Sequence, residues 1–441
     1  KARDDAEQYF STTDPTKNVL VYHLDTGYYK TDDGVRPMFL DLDLSRSFVE
    51  GDRKGSAELP PGYDRFESGF LSNAGHGTST LSILAGNRVD LPAFHEFLGG
   101  APYAHIASCR ISQSVVHLWT GSMVAAMKAA IDNHADVIAM AAGSPPSGAL
   151  LDAVNRAYDN GVAMVFASSD YFQSPICLQF PPHTTVYPAR FSRTLSATGV
   201  TSEYRSYSRA WHYWYWLLKI KDIMSWMMRG SYGPDSVMDH TMASYTPNVA
   251  AQLGIADGTP NLLKVDFAGT SAATPQLAAA AALWLQVYRN DPVLNEPWKH
   301  AEGVYEALQL SALKKPSPAD PDSRLGFGAL DASAALAMKP AQLPLAYRKP
   351  STIGFNWLTV IRWIIGNDPP DVQEAKRAAH ERMLRVEAAQ LFQSSPRLRK
   401  ILLNGVDTEP DAATRAAFVS AVTHDPRASA YLREHLGLVA Q

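Results

Sequence analysis

The nine residues Phe267-Ala-Gly-Thr-Ser-Ala-Ala-Thr-Pro275, which run on into an alanine-rich stretch from Gln276 to Trp284, constrain this chain more than any other segment. From Ser271 onward helix propensity is high and no glycine interrupts it. Pro275 reads as a first-turn residue, where a missing N–H costs nothing. Gly269-Thr270 lets the chain turn sharply into the helix. Ser271 is therefore expected at a helix N-terminus, with its hydroxyl exposed, its backbone N–H free and a dipole that favours developing negative charge. Taken alone, the segment fits either a nucleophile for acyl transfer or a small-residue turn that merely caps a helix.

Two further motifs separate these readings. His76-Gly-Thr78 opens a small-residue helical stretch that stops at Gly86, which puts an imidazole at a helix start. Asp25-Thr-Gly27 closes the apolar run Val19-Leu-Val-Tyr-His-Leu24, a buried strand ending in a turn. A serine hydroxyl is a weak nucleophile until a base takes its proton, and the base needs a carboxylate to hold its tautomer and stabilise the imidazolium. Asp, His, Ser is one of the chain orders known to build that constellation, and subtilisin is the example named for it.

Asp25-Thr-Gly27, His76-Gly-Thr78 and the segment from Gly269 to Pro275 together resemble the three active-site motifs of the subtilisin-like serine peptidases. The likeness continues at Gly161–Asp170, where the family has a strand ending in A-A-G-N, at Tyr187-Pro-Ala-Arg190, and at Arg324–Asp331, which resembles a closing G-x-G-x-L motif. It covers roughly residues 18–338. The resemblance implies a subtilisin-like three-layer α/β fold with a mostly parallel central sheet. It also implies an endopeptidase with Ser271 as nucleophile, His76 as general base and acid, and Asp25 as the residue that orients it.

Patterning supports the same fold class independently. Apolar strands at His105–Ile111, Asp136–Met140 and Val162–Ala167 alternate with helical stretches at Gly121–Asn133 and Leu150–Asn160, which is the signature of βαβ units. Active-site residues then belong at the carboxyl ends of strands, where Asp25 and Asp170 both fall. Ala141, Ala142, Gly143 and Ser144 stand where the family has the S-x-G-G edge, which pairs with extended substrate and walls the primary specificity pocket. Their small side chains, with Ser168 and Ser169, imply an open and mostly neutral pocket.

Asp170 departs from the family, whose asparagine at this position donates a hydrogen bond in the oxyanion hole. An ionised carboxylate repels an oxyanion, and losing such a donor costs on the order of 100- to 1000-fold in rate. Protonation restores a donor, and burial raises carboxyl pKa values; otherwise a neighbouring residue donates, or activity is low. A few subtilisin-like convertases and the related sedolisins also carry Asp here. Sedolisins replace the histidine with Glu, so His76 argues against membership.

The remaining features place limits on function. A net charge of −4 and 19% charged residues give no basic stripe for nucleic acid and no acidic tail. Two cysteines, Cys109 and Cys177, rule out a disulfide framework; they form one pair or are two buried thiols. Asp32, Asp33, Asp41, Asp43 and Asp64 crowd one loop without EF-hand spacing; they are expected to be solvated carboxylates, with structural calcium as the alternative and no cofactor required. Neither a signal-peptide pattern nor an apolar run of membrane length occurs, and the compartment is left open between cytoplasm and secretion after processing.

The layout expected is an extended arm over residues 1–17, a peptidase domain over 18–338, a linker over 339–352 and a helical extension over 353–441. Within the domain lies an aromatic insert at about 204–231, where Trp211 to Met228 holds four of the nine tryptophans. This insert is expected to pack against Phe355–Ile365 or to present a protein-partner or membrane surface. The competing functional reading is a catalytically weak subtilisin-fold scaffold that acts through the insert and the tail.

Overall fold

A computed structural model of the chain describes residues 1–29, 36–53, 58–66, 73–91, 94–115, 117, 120–172, 185–202, 204–207, 228–252, 263–314, 323–352 and 412–439, with residues 387, 391, 395, 397–398 and 401 between the last two stretches. Residues 208–227 of the aromatic insert, the segment Phe355–Ile365, Asp32, Asp33 and Cys177 lie outside the described residues. The chain divides into two units, one of Lys1–Asp170, His183–Ile220 and Met228–Ser351, the other of Tyr171–Pro182, Lys221–Met227 and Thr352–Gln441.

The first unit is built on six strands: β1 (Leu20–Asp25), β2 (His105–Arg110), β3 (Val137–Met140), β4 (Ala163–Ala167), β5 (Leu195–Val200) and β6 (Thr241–Tyr245). They form one parallel sheet in the order β6-β5-β4-β3-β1-β2. β1, β3, β4 and β5 are buried along their whole length, as parallel strands covered on both faces must be. The strand order reverses between β1 and β3, which opens a crevice at the carboxyl end of β1, where Asp25 stands.

The connecting helices are α1 (Ala2–Glu7), α2 (His76–Ala85), α3 (Gly121–Asp132), α4 (Gly148–Asp159), α5 (Thr270–Tyr288), α6 (Trp298–Leu310) and α7 (Ala332–Ala337). α2 links β1 to β2, whereas α3 runs back over β1 to reach β3; right-handed crossovers therefore put them on opposite faces. α3 pairs with α4, and α2 packs against α5, which also crosses β3, β4, β5 and β6. Alanines at 272, 273 and 278–282 are buried, so α5 lies close against the sheet.

Three details differ from expectation. Residues 1–17 are not an extended arm: α1 forms, and Ala2, Ala6 and Phe10 are buried because their apolar side chains find cover against the unit. Pro275 lies inside α5, since the helix already begins at Thr270; it removes the N–H that would bond the Ser271 carbonyl. The stretch read as a linker is fastened down as far as Ser351. Arg193, fully buried, donates to the carbonyls of Arg348 and Lys349, and Arg348 Nε reaches the buried Glu302 carboxylate at 2.9 Å.

In the second unit, α8 (Ala412–Thr423) and α9 (Ala430–Val439) pack together, and Phe418, Val422, Leu432 and Leu436, spaced i, i+4 on each helix, are buried. Among the described residues, no helix is long and apolar enough to cross a membrane.

The fastening at Glu302 is testable. Tyr158 and Arg348 both donate to this carboxylate. Arg348→Ala leaves a buried charge without its counterion and is expected to destabilise the protein by about 3 kcal/mol, seen as a lower denaturant midpoint. Adding Glu302→Gln should recover part of the loss. An unshifted midpoint in Arg348→Ala would mean that the segment is not held through this pair.

Candidate active site

The Asp25 turn and the start of α2 meet backbone to backbone. A Cβ on Gly77 would lie 2.1 Å from the Gly27 carbonyl oxygen, and Gly27 holds φ +108, so both positions demand glycine. The buried Asp64 joins the two motifs: its Oδ2 accepts from the Gly75 N–H at 2.7 Å and from the Thr26 hydroxyl at 3.1 Å. Thr26 Oγ1 in turn accepts from the Gly77 N–H at 3.0 Å. Buried Arg110, the register partner of Asp25 on β2, donates to the Thr26 carbonyl and pairs with Asp52.

This docking sets His76 Nδ1 at 2.8 Å from Asp25 Oδ1. Oδ1 also accepts from the Thr26 N–H at 2.7 Å, and Oδ2 accepts from the Thr80 hydroxyl at 3.0 Å. Burial pushes the Asp25 carboxyl toward neutrality, but the charge and hydrogen bond of His76 and the Thr26 N–H outweigh it and hold the group below its ordinary value. Burial pulls the His76 pKa down, yet the charge and hydrogen bond of Asp25, with further help from Asp170 and Asp64, leave it raised.

Ser271 is the second residue of α5, and the chain enters that helix through Gly269 at φ +88. Ser271 is half-buried rather than fully exposed. The residues around it touch the helix that carries His76. The Phe267 ring centroid is 5.8 Å from that of His76, and Ala272 packs with Ile83 of α2. Asp170 accepts from the Thr270 N–H at 3.0 Å and from its hydroxyl at 3.1 Å, so its carboxylate sits on the first turn of α5. Burial raises the Asp170 pKa to about 6, against the pull of Thr270 and of the His76 charge.

The expected substrate edge is built differently. The Gly143 N–H donates to the Val115 carbonyl at 3.0 Å, and its carbonyl accepts from the His117 N–H at 2.8 Å. Its main-chain groups are thus already paired, because Val115 and His117 lie alongside. Ala141, Ala142, Ser144 and Ser168 are buried, and the Ser168 hydroxyl donates to the Ser231 carbonyl; only Gly143 and Ser169 keep partial exposure.

The loop carboxylates also differ from expectation. Asp64 is the buried joint just described, and Asp41 holds His105 at 2.8 Å, while Asp43 is the solvated one. Among the described residues, no cluster of three or more His, Cys, Asp or Glu side chains is placed to hold a metal ion. Cys109 is a buried free thiol whose pKa burial pushes up to about 12. Sequence reading missed His23, Thr80 and Arg110; the charged or polar residue types inside otherwise apolar strand and helix faces were the available signal.

Residues 16–328 match the profile of the Subtilase family. Subtilisin E of Bacillus subtilis is 24% identical over 256 residues, which are 58% of this chain and 56% of that protein. Subtilisin NAT of Bacillus subtilis subsp. natto gives the same identity and coverage. The chain thus spans a little over half the length of the curated relatives it matches. Among solved structures, the prenylagaramide maturation protease PagA is similar with a TM-score of 0.50 at 18% identity, over 76% of this chain and 96% of that one. A protease from Pseudoalteromonas arctica is similar with a TM-score of 0.51 at 18% identity, over 76% and 93%. At such identities the likeness is one of fold.

The electrostatics of the His76–Asp25 pair give a direct test. Asp25→Asn keeps the shape but removes the charge that offsets burial of the imidazole. The His76 pKa, followed by NMR titration, should fall by roughly one to three units. A value that stays raised would show that Asp25 does not govern His76.

Proposed function

The chain belongs to the subtilase family, and on that premise we propose that it is a serine endopeptidase in which Asp25, His76 and Ser271 form the catalytic triad. The observation that carries the reading is the 2.8 Å contact between His76 Nδ1 and Asp25 Oδ1, built at the carboxyl end of β1. In this reading His76 Nε2 takes the Ser271 hydroxyl proton as Oγ attacks the scissile carbonyl. Asp25 holds the Nδ1–H tautomer and stabilises the imidazolium. His76 then returns the proton to the leaving amine, and water repeats the sequence on the acyl-enzyme to release the acid product and restore the Ser271 hydroxyl. Protein or peptide is the substrate class. Pairing of a substrate strand at Gly143 requires release of the two bonds it makes with Val115 and His117.

The oxyanion is assigned to the Ser271 backbone N–H, at the start of α5, together with Asp170. Asp170 donates only when protonated, below its value of about 6. His76 accepts a proton only when neutral, above its raised pKa. Activity should therefore peak between the two and stay modest at its maximum, with the acid limb set by His76 and the alkaline limb by Asp170.

Two outcomes follow from these roles. Ser271→Ala should abolish peptide hydrolysis and fluorophosphonate labelling while the protein remains folded, and retained activity would sink the triad. Asp170→Asn should remove the alkaline limb and raise activity above neutral pH, by at most about 100- to 1000-fold. An unchanged pH–rate profile would place the oxyanion donor elsewhere. The second reading, a subtilisin-fold scaffold with weak or lost catalysis, draws on the Asp170 carboxylate at the N-terminus of α5. Absence of probe labelling in the wild-type protein would favour it.

A further inference from the structure

His23 lies two residues before Asp25 on β1, so both side chains point to the same face of the sheet. It is 2% exposed, and an imidazole buried this deeply needs partners for both ring nitrogens. Ser108, its register partner on β2, places Oγ at 2.9 Å from Nδ1. Thr80, one turn after His76 on α2, places Oγ1 at 2.9 Å from Nε2. The same Thr80 oxygen stands 3.0 Å from Asp25 Oδ2, while the carbonyls of His76 and Gly77 each lie at 3.2 Å.

The proton inventory fixes the direction of these bonds. The ionised Asp25 can only accept, so the single Thr80 proton goes to Oδ2, the nearest and charged acceptor. The Thr80 oxygen must then accept from His23, which makes His23 the Nε2–H tautomer. Nδ1 is left as an acceptor for the Ser108 hydroxyl. Every link points toward Asp25: Ser108 to His23, His23 to Thr80, Thr80 to Oδ2, with His76 Nδ1–H closing on Oδ1 from the other side.

We propose that His23 is a positioning residue for the Asp25–His76 pair, acting through Thr80 to hold a hydroxyl proton on Asp25 Oδ2 so that Oδ1 is left to orient His76. The proposal rests on the triad reading given above. Burial lowers the His23 pKa to about 4 even though Asp25 lies 3.9 Å away, so the ring stays neutral and the chain of donors keeps one direction across the working pH range. Without the N–H of His23, the Thr80 oxygen loses the donor that polarises its hydroxyl, and the bond to Asp25 Oδ2 weakens. Asp25 Oδ2 is then less well stabilised, and the carboxylate draws more strongly on the imidazolium of His76. The other charges acting on His76, from Asp64 and Asp170, are unchanged by this event.

Nitrogen NMR of the wild-type protein tests the premise without any need for activity. His23 should appear as the neutral Nε2–H tautomer from pH 5 to 9, and an Nδ1–H or cationic ring would overturn the proposal. Kinetics test the consequence. His23→Leu should lower kcat about tenfold at unchanged KM and shift the acid limb of the pH–rate profile upward. His23→Gln, which offers an amide N–H toward Thr80, should restore kcat to within a few-fold. Thr80→Val combined with His23→Leu should be no worse than Thr80→Val alone. Wild-type kcat and acid limb in a folded His23→Leu, or losses that multiply in the double variant, would overturn it. Failure of the triad reading is distinguishable, because it would show as activity surviving Ser271→Ala.

Discussion

The structure depends on the close approach of two glycines. Gly77, at the start of the helix that carries His76, presses on the carbonyl of Gly27 in the turn that carries Asp25, and no side chain can stand between them. What holds this contact is an array of hydrogen bonds that use only short side chains: Asp64 takes one N–H from before the helix and one hydroxyl from the turn, and Thr26 links the two. The imidazole and the carboxylate are thus brought within hydrogen-bond distance by main-chain geometry, which leaves little rotamer freedom to lose.

Much of the architecture was legible because parallel strands buried on both faces write themselves as unbroken apolar runs. Val137–Met140 and Ala163–Ala167 were found within a residue of their observed bounds for that reason. The start of the helix that carries Ser271 was legible from Gly269, whose left-handed φ marks the turn. Pro275 was misplaced by a turn because a proline signals a helix start only statistically, and here the run of alanines carries the helix across it.

What sequence could not give were contacts made across long chain separations. Asp64 reads as one more loop carboxylate until Gly75 and Thr26 are seen to converge on it. Gly143 reads as a free edge until Val115 and His117 are seen beside it. The anchoring of residues 347–351 depends on Arg193 and Glu302, which are distant in sequence from the stretch they hold. Three prolines within 339–350 suggested a linker, whereas extended prolyl backbone is equally suited to lie along a surface.

The alanine-walled helix α5 has a consequence for how this chain can drift in sequence. Most cores absorb substitutions by trading one branched side chain for another of similar volume, with neighbours adjusting their rotamers. Along 278–282 each position carries a single methyl group and is buried, so there is no rotamer to adjust and no volume to exchange. Any larger residue displaces the helix as a body, and Ser271 with it. Neutral variation in this unit is therefore channelled away from the helix that bears the serine and toward the exposed turns and strand edges. The position of the serine is protected by the absence of alternatives.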